Sequence, residues 1–256
     1  MPAAPASIPP HLPGVRPSLL IPPLGDLPED RELIPGVMAA VESVLRQPRR
    51  IFFNLRQPGS LGLVCSLAVV AVFCSLIYGL VVGTFSMGTQ LWAAPAKIAV
   101  GMLLSGLICL PSLYIFSCLG GSQARLGEIV GLLAGLLMLM TLLLIGFAPV
   151  AWLFSQSTQS IPWMGALHLL FWFVATCFGF RFLYQGFKHS QVRSPAALGV
   201  WSIIFALVML QMTAALRPLV GTSDTLLPTE KKFFLSHWAD CLKTANEPVR
   251  QSAGKP

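Results

Sequence analysis

IVGLLAGLLMLMTLLLIGFAPVAWLF, residues 129–154, runs for 26 positions without an Asp, Glu, Lys, Arg or His. A helix rises 1.5 Å per residue, so about 20 apolar residues cross a hydrocarbon core of about 30 Å, and this stretch exceeds that length. Strands of a membrane barrel are about 10 residues long and alternate in polarity, which an unbroken apolar run does not do. The stretch therefore reads as a membrane-spanning helix. Four more of its kind lie at residues 61–85, 97–119, 164–183 and 198–216. Together they predict an all-α membrane protein, a polytopic bundle of about five transmembrane helices.

Composition agrees: 55% of the chain is hydrophobic and 11% charged, against about 25% charged in an ordinary soluble domain. The net charge of +7 comes from basic residues clustered beside apolar blocks. That is the pattern of membrane orientation, and no nucleic-acid partner is expected. Arg46, Arg49, Arg50 and Arg56 precede the first span, Arg125 follows the second, and Arg181, Lys188 and Arg193 lie at or after the end of the fourth. The other side has Lys97 alone in its first loop. The excess of Lys and Arg marks cytoplasmic loops, so the amino terminus is expected in the cytoplasm and the carboxyl terminus outside. Trp92, Trp152 and Trp163 fall at the expected outer boundary, where indole rings settle.

The remaining chain divides around the spans. Residues 1–36 are proline-rich and are expected to form a disordered arm; their apolar patch is too short for a cleavable signal peptide. Residues 37–58 form a basic segment in which Val37, Val41, Val44, Leu45, Ile51, Phe52 and Leu55 recur at helical spacing. It reads as an amphipathic interfacial helix, broken or kinked at Pro48, with Arg46, Arg49, Arg50 and Arg56 among anionic lipid headgroups. Residues 59–221 hold the transmembrane domain. In the tail, residues 222–256, Phe234, Trp238, Cys241 and Leu242 suggest a short amphipathic helix over 230–245.

Small residues carry the packing signal. Gly127, Gly131 and Gly135 on the third span, and Gly79 and Gly83 on the first, repeat every four residues and open a surface for close helix approach. The partner is a helix of the same chain or of a second subunit, a homo-oligomer included. Pro111 is expected to kink the second span and free a carbonyl for another donor.

Chemistry is sparse by comparison. Charge at the bilayer centre is costly, and no span carries a central charged residue; Lys97, Glu128, Arg181 and Arg217 are placed at span ends. Ser105 and Ser112 lack a recognisable base, and five of the six cysteines (Cys65, Cys74, Cys109, Cys118, Cys177) read as small core residues. No catalytic residue, cofactor or metal site is assigned. Pro111, His168 and Gln211 are the candidate polar contacts inside the membrane. If they converged on a water-accessible cavity, they would favour a small transporter or channel component.

The element Leu45-Arg46-Gln47-Pro48-Arg49-Arg50-Ile51-Phe52 followed by five spans resembles the Yip family of secretory-vesicle membrane proteins, over about Ala39 to Gly221. The resemblance implies a cytoplasmic amino terminus and a carboxyl terminus on the far side. The Asp-Leu-Tyr-Gly-Pro type motif of the trafficking members is missing. The end of the last span, Gln211-Met212 and Leu216-Arg217-Pro218-Leu219-Val220-Gly221, is similar to bacterial multi-pass proteins and implies a bacterial inner membrane. The function expected on these grounds is a non-enzymatic organiser or accessory subunit acting through lipids and a membrane-protein partner.

Overall fold

Long apolar runs become long helices because a helix satisfies its backbone hydrogen bonds within the one segment that lipid surrounds. The computed structural model describes residues 22–86, 90–157, 161–190 and 195–215. Three short helices come first: α1 (Pro28–Arg31), α2 (Gly36–Arg46) and α3 (Pro48–Arg56). Five long ones follow: α4 (Leu61–Ser86), α5 (Gln90–Leu119), α6 (Leu126–Ser157), α7 (Ile161–His189) and α8 (Pro195–Ala215). Each contains a stretch long and apolar enough to cross a membrane, so this is an all-α, multi-pass membrane protein. The described residues contain no strand.

The helices outrun the apolar stretches read from sequence, and this moves residues. With α5 starting at Gln90, Lys97 lies two turns inside the helix and is buried, not placed at an end. Arg181 likewise lies well before the end of α7, on the exposed side.

α6 is the central helix. Its most apolar window is 67% buried, against 28–39% for the other four, and it packs on α4, α7, α5 and α3. α5 joins α4 on one side and α8 on the other. α6 also supplies the fully buried Leu132, Leu136, Met138, Met140 and Leu144.

The glycines work one at a time. A Cβ on Gly79 of α4 would overlap the backbone of Pro95 on α5, with the Ala94 carbonyl 3.2 Å away, so here two helix backbones meet. On α6, Gly131 receives the Leu55 side chain of α3, and Gly135 receives the Phe182 ring of α7, 2.7 Å from an added Cβ. Gly127 faces open space, while Gly83 is buried. The periodic stripe on α6 therefore gives two separate sockets to α3 and α7, and no flat groove for one helix.

The amino-terminal part differs most from expectation. Residues 22–36, counted with the disordered arm, fold against α3 from Pro22 onward. Pro48 opens α3, where its missing N–H costs no helical bond, and Gln47 separates α2 from α3. The amphipathic helix expected over 230–245, with Cys241, lies outside the described residues.

Candidate functional site

The short helices assemble a polar cap on the end of the bundle where α4 and α6 begin and α5 and α7 finish. α3 is its organiser. Ile51, Phe52 and Leu55 point into the bundle and are buried, with Phe52 against the Phe182 ring at 5.0 Å. Polar residues on the rest of the helix grip the chain around it.

Arg49 holds residues 22–30. Its Nε and Nη2 donate to the two Asp30 oxygens at 3.3 and 3.0 Å, and Nη2 also reaches the carbonyls of Pro22 and Pro23. Asp30 is buried and accepts the Gly25 N–H at 3.0 Å. Gly25 has φ +96°, and a side chain there would meet the Phe53 ring. Burial alone would raise the Asp30 carboxyl, but the Arg49 hydrogen bonds, the Gly25 N–H and the charges of Arg49 and His189 outweigh it and hold the group below its ordinary value.

Arg50 donates to the carbonyls of Glu32 and Leu33, at 3.2 and 2.6 Å, and pairs with the Glu32 carboxylate at 3.3 Å. Asn54 adds a bond to the same Glu32 carbonyl. At the other end of α3, Arg56 Nε donates to Glu128 on α6 at 3.0 Å and Nη2 to Ser190 Oγ at 2.9 Å, while Ser190 donates to Glu128 at 2.7 Å. This triangle ties α3, α6 and the end of α7 together.

Three of the four arginines assigned to lipid headgroups are thus committed within the chain. Arg49, Arg50 and Arg56 have side chains only 22%, 15% and 31% exposed, whereas Arg46, paired with Glu42, is 77% exposed. The reason is proximity: residues 22–33 supply carbonyls and carboxylates that satisfy a guanidinium fork before any lipid can. Between the α2–α3 junction and the last turn of α7 a cleft of about 420 Å³ remains, lined among others by Arg46, Arg50, Phe52, Gln185, Lys188 and His189.

The candidate polar residues within the spans do not converge. Pro111 and Gln211 are exposed on the bundle perimeter. His168 of α7 is bonded through Nδ1 to the Tyr78 hydroxyl of α4 at 2.7 Å, with the rings edge to face, and its Nε2 is buried without a partner. Ser105 and Ser112 donate to carbonyls of their own helix, Gly101 and Cys109, at 2.7 and 2.8 Å. Among the cysteines, Cys74 and Cys109 are buried but Cys65, Cys118 and Cys177 are exposed. Among the described residues no three His, Cys, Asp or Glu side chains gather as a metal site.

Sequence reasoning passed over Trp201. It is fully buried on α8, and its Nε1 donates to the Cys109 carbonyl and to Ser112 Oγ, at 3.1 and 3.2 Å, on either side of Pro111. Its ring stacks on Phe205 at 5.1 Å and meets Phe180 of α7 edge to face at 6.4 Å. Trp92, Trp152 and Trp163 are exposed at the opposite end of the bundle from the cap, and Trp172 of α7 is half-buried against the core. A tryptophan several residues inside a span was the available signal, because a buried indole N–H requires an acceptor. Compared with known proteins, the chain matches no family model, and neither a curated protein nor a solved structure shows detectable similarity to it.

Proposed function

We propose that this protein is a non-enzymatic organiser or accessory subunit of a membrane, acting through protein and lipid contacts at its capped end. The observation that carries this reading is the cap itself. α3 is bolted to the bundle by Arg56, Glu128 and Ser190 and to residues 22–33 by Arg49 and Arg50, which makes a firm charged platform at one end of an apolar bundle. A platform of that kind suits docking better than opening.

The charge pattern supports the orientation. Arg125 and Lys188 lie at the same end as the cap, and this basic excess supports an orientation with the cap and the amino terminus in the cytoplasm and the carboxyl terminus across the membrane. The five-span plan with a basic element before the first span also supports a Yip-like ancestry, and the likeness of the last span to bacterial multi-pass proteins favours a bacterial inner membrane.

The test is proximity crosslinking in native membranes with the label on the amino-terminal arm, followed by flux measurements on reconstituted protein. A reproducible complex with one membrane-protein partner, without flux, is the expected result. Selective solute or ion flux by the isolated protein would replace this reading with transport.

A further inference from the structure

The cleft at the α2–α3 junction holds more positive charge than the contacts around it use. Its lining includes four cations, Arg46, Arg49, Arg50 and Lys188, against two carboxylates, Glu29 and Asp30. Arg49 is matched by Asp30, and Arg50 by Glu32 behind it. The pair of Arg46 with Glu42 is exposed on both sides, at 77% and 66%, so water screens it. Lys188 is exposed and forms no ion pair among the described residues.

Two further features suit an anion with an apolar neighbour. The first turn of α3, Pro48 to Arg50, lines the same cleft, and no side chain caps that helix end, so its positive pole is open. Leu27, an exposed apolar side chain of the lining, supplies an apolar wall. Gln185 and His189 add hydrogen-bonding groups. Residues 1–21 contain no carboxylate, so this arm cannot supply the complementary charge.

We infer that the cleft between the α2–α3 junction and the last turn of α7 binds a phosphate group whose negative charge is not offset within its own molecule, with Lys188 and Arg46 as its principal cationic contacts. The inference rests on the lipid-contacting role proposed above and narrows that contact to this cleft, where Arg46 alone of the four arginines before the first span has a mostly exposed side chain. The favoured source is the headgroup of an anionic phospholipid, because the cleft sits beside the end of a membrane-spanning helix and has an apolar wall. A soluble phosphate ester shares the chemistry.

The experiment uses the full chain in nanodiscs of phosphatidylglycerol and phosphatidylcholine, and counts phosphatidylglycerol retained on the protein by native mass spectrometry after mild delipidation. Lys188→Gln is expected to lower retention about tenfold, the size of one charge-assisted contact, and Arg46→Gln to lower it less. Arg125→Gln, an exposed cation of the same end outside the cleft, is expected to leave it unchanged. Displacement of the retained lipid by glycerol phosphate would assign the site to soluble esters, and resistance to displacement would assign it to lipid.

Equal losses in Lys188→Gln and Arg125→Gln would overturn the site, leaving only a diffuse attraction of the whole face. Equal retention of the two lipids by the unaltered protein would overturn it as well. Neither result touches partner capture by crosslinking, so the site and the organiser reading fail separately.

Discussion

The cap and the bundle are both built of helices, yet they are held together by opposite means. In the cap, α3 clasps residues 22–33 through guanidinium and amide bonds to carbonyls and carboxylates, as at Arg49–Asp30 and Arg50–Leu33. In the bundle, contact depends on the absence of atoms: Gly79 lets the backbone of Pro95 close in, and Gly135 makes room for Phe182. The difference follows from the two surroundings. Next to water, hydrogen-bond exchange is affordable and charge gives direction; in lipid there is no hydrophobic drive between helices, so close packing must supply the attraction. A charge at the bilayer centre would be costly, and a glycine stripe would be weak in the cap.

That contrast can be broken most severely at Gly79. Gly79→Ala should cost about 3 kcal/mol, because the new Cβ meets backbone that cannot rotate away. Gly131→Ala should cost about 1 kcal/mol, since Leu55 presents only a flexible side chain, and Gly127→Ala should be neutral or slightly stabilising. Thermal and denaturant unfolding in detergent would rank the three. A Gly131 effect as large as that of Gly79 would mean that backbone approach does not govern the bundle.

The next effect belongs to the cap. Asp30→Asn removes the charge facing Arg49 and should destabilise the cap by about 2 kcal/mol, a figure reduced because Arg49 is partly exposed. Proteolysis of residues 22–56 should accelerate while the bundle's helical signal stays unchanged. The same group sets a pH dependence. The folded Asp30 carboxyl titrates below its ordinary 3.8, so its contribution is complete above that value and is lost as pH falls through the lowered one. Hydrogen exchange of the cap should therefore quicken only in strong acid, and Asp30→Asn should remove that step.

Trp201→Phe sharpens the comparison by taking a polar bond out of the apolar region. It keeps the aromatic packing on Phe205 and Phe180 but loses the donor to Cys109 and Ser112, and a loss of about 1 kcal/mol is expected in the same unfolding assays. The smallest change is expected at Arg46→Ala, whose exposed one-turn pair with Glu42 should contribute less than about 0.5 kcal/mol to stability. A larger loss there would show that Arg46 supports the cap structurally.

Span number and helical class were legible because hydropathy is a local property: 20 or more apolar residues in a row have few other fates. Packing identities were not legible. Gly127, Gly131 and Gly135 look equivalent in a periodic stripe, but only the approach of α3 and α7 separates two filled sockets from an open one. The prolines at 22 and 23 suggested a disordered arm, yet their carbonyls accept from Arg49, more than 20 residues along the chain. Lys97 was placed at a helix end because apolar residues were counted, while the helix itself starts at Gln90.

By itself, then, the sequence determined that five helices cross a membrane and that basic residues collect at one end, since both follow from solvation of single segments. Tertiary structure alone decided that α6 lies at the centre, that Trp201 staples α8 beside Pro111, and that three of four arginines face the protein and leave Lys188 and Arg46 at an open cleft. Those outcomes depend on which distant groups reach one another first, and a guanidinium near a carboxylate or a carbonyl in the folded chain is satisfied there whatever its neighbours in sequence suggest.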